Sequence, residues 1–186
     1  MSIKSEIRIS RYLAKAGLAS RREAEKLILD GRVTLNGEAV IEPWRSCNKK
    51  DVLKLDGVIV SQVIPTVIYQ LNKPKGYLST SKDALGRRTI FDLIESKLEH
   101  LMIIGRLDYN SEGLMILTNN GDLKRYLELP KNKFERTYRV KIKGNLTSRN
   151  LNEIERGVSL NGLNYKPIKV RFLQSNRSYS WIEMIL

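Results

Sequence analysis

Over its 186 residues the sequence contains a single cysteine, Cys47, and a single histidine, His100. A lone cysteine closes no internal disulfide and builds no cysteine-based zinc site. A lone histidine removes most hydrolase triads, and His100 follows an expected helix, where a cation at the C-terminal end is an ordinary structural choice. No run approaches the roughly 18 apolar residues that a membrane-spanning helix needs. The opening Met1-Ser2-Ile3-Lys4-Ser5-Glu6 lacks the apolar core of a signal peptide, so a cytoplasmic protein away from the membrane is expected. Phosphate-cradling glycine loops, paired-histidine metal motifs and the Gly-x-Ser-x-Gly elbow are missing as well. Acid is in short supply: 33 Lys+Arg face 20 Asp+Glu, for a net charge of +13. That excess points to a polyanionic partner, with nucleic acid the leading one. A composition 41% hydrophobic and 28% charged is that of a folded protein, not a basic tail. The length suits one or two domains that bury roughly 70% of the unfolded surface.

The positive excess is shared between residues 1–60 and 61–186, so neither part is a mere basic arm. The pattern breaks at Ser61-Gln62-Val63-Ile64-Pro65-Thr66, the best candidate for a linker. Before it, Ile9, Tyr12, Leu13 and Ala16 fall on one helical face, with Gly17 placed to end the helix. Ser20 with Glu23 three residues on is a capping box for a second helix, whose apolar stripe is Ala24, Leu27 and Ile28. Asn36-Gly37 and Asp56-Gly57 each mark a tight hairpin. Arg21 and Arg22 occupy the first turn of the second helix, where the macrodipole disfavours cations by roughly 0.3–1 kcal/mol. Together with Arg8, Arg11, Lys15 and Lys26 they read as contacts to a nucleic-acid backbone; the alternative is a solvated charged face.

The second part alternates strands and helices, which predicts a mixed-sheet α+β domain. Strands are expected at residues 67–71, 101–104, 114–117, 138–142, 168–173 and 181–186, and helices over 90–98 and 148–156. Between the two apolar strands at 101–104 and 114–117 lies Gly105-Arg106-Leu107-Asp108-Tyr109-Asn110-Ser111-Glu112-Gly113. Functional groups gather on loops held by rigid elements. Asp108 is therefore either a turn residue bonded to its own backbone or a nucleophilic carboxylate.

Two resemblances make these patterns specific. Arg8 to Glu25, with Gly31-Arg32-Val33-Thr34-Leu35-Asn36-Gly37, resembles the RNA-binding domain named after ribosomal protein S-four. Gly105 to Gly121 resembles the signature of pseudouridine synthases that modify ribosomal RNA and carry that N-terminal domain. Asn72-Lys73-Pro74-Lys75-Gly76 and Glu135-Arg136-Thr137-Tyr138-Arg139-Val140 are similar to the family's first motif and its tyrosine motif, in the expected order. The resemblance implies an RNA-binding domain at 1–60, a linker at 61–66 and a catalytic domain at 67–186. It implies isomerisation of a uridine in ribosomal RNA, with the large subunit preferred, and no metal, cofactor or cosubstrate.

In that family an aspartate attacks the target nucleotide, the base-to-sugar bond breaks, and uracil rotates and rejoins through carbon. Asp108 would be the nucleophile, Tyr138 the aromatic against the uracil, and Arg106 the side chain that fills the stack when the base flips out. Lys73, Lys75, Arg87 and Arg88 would contact phosphates; loop charge is the alternative for these four, a strand tyrosine for Tyr138, and an Asp108 ion pair or solvation for Arg106. The family also continues into a basic segment that sets an arginine against the aspartate, and the chain stops at Leu186 where that segment would begin. The catalytic domain therefore reads as partial, with an apolar end strand, a tendency to self-associate and weakened turnover expected. An unpaired Asp108 buried beside Leu107 and Leu114 would be a weaker nucleophile, leaving Lys73, Lys75 and Arg106 as its candidate supports. Two alternatives remain: a non-catalytic RNA-binding remnant, and a base-removing hydrolase that leaves an abasic site.

Overall fold

A computed structural model describes residues 6–60, 64–94 and 101–186. The chain divides into two compact units, Met1–Leu129 and Pro130–Leu186. His100, residues 61–63 of the expected linker and residues 95–98 of the expected helix lie outside the described residues.

The first unit opens with strand β1 (Ile7–Arg8), helix α1 (Ile9–Lys15) and helix α2 (Arg21–Leu29). The capping box at α2 is complete: Ser20 accepts from the Glu23 amide while Glu23 accepts from the Ser20 amide. Strands β2 (Val33–Leu35) and β3 (Glu38–Ala39) follow, joined by Asn36 at φ 54 and Gly37 at φ 94. Positive φ at both central residues is the turn whose twist matches that of its flanking strands, hence the Asn-Gly pair. After β4 (Ser46–Cys47), which pairs with β1, come β5 (Leu53–Leu55) and β6 (Val58–Ile59). The four hairpin strands run in the order β3-β2-β5-β6. Ile9, Leu13, Ala24, Ile28, Val33 and Leu53 form their core, together with Cys47, whose thiol burial and Asp51 push upward.

The same unit holds an antiparallel sheet of β7 (Ile68–Lys73), β8 (Met102–Ile104) and β9 (Gly113–Thr118), in the order β7-β9-β8. Met115 and Leu117 of β9 pack on Ile90 and Leu101. Among the described residues the segment from Ile90 forms only a short 3-10 turn, Ile90–Leu93, and Ile94 is already extended. Helix α3 (Gly121–Glu128) was not expected from the sequence; Asn120 starts it by accepting from the amides of Asp122 and Leu123.

The second unit contains β10 (Thr137–Lys143), α4 (Ser148–Arg156), a small hairpin of β11 (Ser159–Leu160) and β12 (Leu163–Asn164), then β13 (Lys169–Ser175) and β14 (Tyr179–Ile185). Thr147 and Asn150 cap α4 reciprocally. The sheet order is β10-β14-β13, so the apolar strand at the end of the sequence is central, with Ser180 and Ile182 buried. The architecture is a mixed helix-and-sheet fold, as expected.

Candidate active site

Side chains alternate along β7, so Tyr69, Leu71 and Lys73 face inward together. Lys73 ends that stripe fully buried. It pairs in register with Gly113, the first residue of β9, and the loop 105–112 closes over its ammonium. The Nζ donates to the Ser111 carbonyl at 2.7 Å and to the Asp108 carbonyl at 2.9 Å, with longer contacts to Pro74 at 3.2 Å and Tyr109 at 3.4 Å. Burial pulls this ammonium below the usual lysine value, and the negative charge of Asp108 opposes that shift. A buried charge is costly unless it is hydrogen-bonded, and bonds to charged groups contribute about 1.5–3 kcal/mol each. Lys73 thus ties the Asp108 loop to the sheet from below.

Other groups pin the same loop. The Ser79 hydroxyl donates to the Leu107 carbonyl at 2.6 Å and accepts from the Leu107 amide at 3.1 Å. The Gly76 amide donates to the Tyr109 carbonyl at 2.9 Å, and the Gly105 amide donates to Glu128 at 2.8 Å. Burial raises the Glu128 carboxyl, but Lys124 and the Gly105 amide outweigh it and hold the group below its usual value. Asp108 itself is exposed, and Leu114 is 65% exposed, so the apolar burial expected for this carboxylate is not what the fold provides. The Asp108 carbonyl accepts from the Ser111 amide at 3.0 Å, so its backbone forms a turn while its carboxylate stays available to solvent. Among the described residues no cation forms an ion pair with that carboxylate.

The other expected residues divide by environment. Lys73, expected to contact phosphate, is fully buried in this structure, with its ammonium enclosed by backbone carbonyls. Arg106 is exposed on the Asp108 loop. Lys75 reaches Glu112 of that loop at 3.9 Å. Arg87 pairs with Asp83 at 2.8 Å, and its side chain is the main reason the Asp83 carboxyl falls to about 2. Arg88 lies over the Tyr77 ring at 6.0 Å. Tyr138 belongs to the second unit, half-buried on β10 opposite Met184.

In the helix–hairpin part, Arg8, Arg21, Arg22 and Lys26 are exposed. Arg11 and Lys15 instead converge on Asp122 of α3, Lys15 at 3.0 Å. The bond from Lys15 lowers the Asp122 carboxyl, burial opposes it, and Arg11 adds to the lowering. The adjoining Asn119 accepts from the Val67 amide at 3.0 Å and donates to the Pro65 carbonyl at 2.8 Å, while Asn120 donates to the Thr66 hydroxyl at 2.8 Å. Asn119, Asn120 and Asp122 therefore hold both residues 65–67 and α1. Sequence reasoning missed Ser79, Glu128 and Asp122, whose partners are distant in the chain; for Lys73 the Tyr69-x-Leu71-x-Lys73 alternation was a readable signal of inward orientation.

Residues 67–184 match the RNA pseudouridylate synthase family, and residues 7–43 match the S4 domain. The chain belongs to the RNA pseudouridylate synthase family. An RNA pseudouridine synthase of Rickettsia felis, itself uncharacterized, is 36% identical over 179 residues, covering 96% of this chain and 77% of that protein. The ribosomal large subunit pseudouridine synthase B of Bacillus subtilis is 35% identical over 170 residues, 91% of this chain and 69% of that protein. A crystal structure of a pseudouridylate synthase superposes with a TM-score of 0.60 at 24% identity, covering 96% of this chain and 76% of the other, and shares the fold. The synthase is thus an isomerase acting on RNA, with an S4 RNA-binding domain near its N-terminus. No helix among its described residues is long and apolar enough to cross a membrane.

Proposed function

We propose that the synthase converts a uridine of ribosomal RNA to pseudouridine with Asp108 as the nucleophile. The observation that carries this reading is the exposed Asp108 carboxylate on a loop whose backbone is anchored by buried Lys73. A nucleophile gains from a fixed starting geometry, since positioning removes entropy from the barrier. The carboxylate attacks the target nucleotide, the bond from the sugar carbon to the uracil nitrogen breaks, and uracil turns within the site. A new bond from the sugar to a ring carbon forms and the bond to the Asp108 carboxylate breaks, freeing the enzyme; the ring carbon gives up a proton and the freed nitrogen gains one, so the reaction is redox-neutral. Tyr138 is assigned the aromatic contact to uracil, and Arg106 the place vacated in the base stack, on their motifs. Lys75, Arg87 and Arg88 are exposed cations for the RNA backbone near the target, and Arg8, Arg21, Arg22 and Lys26 serve the S4 domain.

The Bacillus subtilis relative's name supports the large subunit as the source of the target. The test is to incubate the protein with unmodified large- and small-subunit ribosomal RNA transcripts and map pseudouridine chemically. A single modified position in large-subunit RNA is expected. Modification of neither transcript, or of the small-subunit RNA alone, contradicts the assignment. An abasic site in place of pseudouridine would make the protein a base-removing hydrolase.

A further inference from the structure

The sheet of the second unit has a side with a composition that stability alone does not explain. Alternation along β10 sends Tyr138, Val140 and Ile142 to one side, half-buried, and Arg139, Lys141 and Lys143 to the other, exposed. In register with the exposed set stand Glu183, Trp181 and Tyr179 of the central strand β14. Lys169 and Arg171 of β13 complete this side, opposite Ile185 and Glu183. Five cations thus share one sheet face with one acid, Glu183, which pairs with Arg171 at 2.9 Å. Lys169 pairs with Glu135 at 3.0 Å, and among the described residues the three β10 cations form no ion pair.

The three β10 cations repeat every second residue, about 6.8 Å apart. Neighbouring like charges repel, and a strand shaped for stability would intersperse acids. The outward aromatics are equally telling. Tyr179 is 39% exposed on the central strand. The Lys141 ammonium rests 3.9 Å above the centre of its ring and 5.8 Å from that of Trp181. Rings that hold an ammonium upright reduce the freedom it loses on meeting an anion. A row of evenly spaced, unpaired cations with ring faces beside it has the chemistry of a surface for a polyanion that carries flat bases.

We propose that this face binds a strand of the RNA substrate. Arg139, Lys141 and Lys143 meet successive phosphates, while Tyr179 and Trp181 position Lys141. The proposal rests on RNA being the substrate, and adds an RNA-binding surface to those assigned to the S4 domain and to the surroundings of Asp108.

Two measurements on the full chain test it. The first is a salt titration of binding to a ribosomal RNA fragment, comparing wild type with the Arg139→Ala/Lys141→Ala/Lys143→Ala variant, whose fold is checked by circular dichroism. Removing the cation from one phosphate lowers the logarithmic salt slope by about 0.7–0.9, so a fall of about two is expected for the triple variant. The second needs no variant: photo-crosslinking of wild type to RNA carrying 4-thiouridine, with the crosslinked peptides sequenced. Crosslinks to Arg139, Lys141, Lys143, Tyr179 or Trp181 are expected. An unchanged affinity and slope, or crosslinks confined to residues other than these five, would overturn the proposal. Neither readout involves turnover, so a chain that binds through this face but forms no pseudouridine defeats the functional reading and leaves this one standing.

Discussion

The ammonium of Lys73 donates to the backbone carbonyl of Asp108 at 2.9 Å, from a fully buried position at the end of β7. The lysine of the first motif and the aspartate of the signature, 35 residues apart, are thereby joined through the backbone, with the carboxylate left outside. Lys73→Met should keep the apolar stem and lose the charge, leaving the Asp108 and Ser111 carbonyls without their donor. Stability should fall by about 1–3 kcal/mol. Turnover should fall about tenfold or more, while RNA affinity and its salt slope stay as in wild type. A lowered salt slope with turnover retained would mean that Lys73 meets phosphate after all.

Arg21 and Arg22 stand at the start of α2, exposed and against its dipole. Replacing both with alanine should weaken ribosomal RNA binding and lower the salt slope by about one or more. Helix stability should hold or improve, because the dipole penalty of roughly 0.3–1 kcal/mol per cation is relieved. Equal affinity across a salt titration would leave these arginines as a solvated face.

Asp122 receives both Arg11 and Lys15. Its carboxyl lies below the ordinary aspartate value in the folded chain, so its contribution is present in full above about pH 4 and is lost as pH falls through the lowered value. Asp122→Asn should therefore destabilise the protein at pH 7, by roughly 0.3–1 kcal/mol for so exposed a pair. The gap to wild type should close as the solution is acidified, in paired denaturant melts. A gap that persists unchanged at low pH would assign the effect to packing instead.

Local signals in the sequence were legible because their physics is local. Ser20 with Glu23 and Asn36-Gly37 each decide structure within a few residues, and each stands where the pattern put it. The Asp108 loop was legible for a similar reason, since apolar strands on both sides frame it. Helix α3 is short and has no fully buried residue, so its apolar period is weak; Asn120, which caps it, was the one available cue. The small hairpin around Asn161 and Gly162 had an Asn-Gly turn signal that its short, exposed strands made easy to pass over. The pairing of Arg11 with Asp122 spans 111 residues, and no local pattern reports a contact of that range. Lys73 shows the limit most clearly: in a basic sequence a lysine reads as a surface charge until the alternation of its strand is followed inward.

The central claim is that Asp108 supplies the nucleophile, and its most direct test is pseudouridine formation by Asp108→Asn measured beside wild type. Asparagine keeps the size of the side chain and can still sit in the turn closed by the Ser111 amide, but it carries no anionic oxygen. Chemical mapping of the target RNA should show no pseudouridine with this variant, while circular dichroism and RNA affinity match wild type. Pseudouridine formed by Asp108→Asn at a rate near that of wild type would contradict covalent catalysis through this residue.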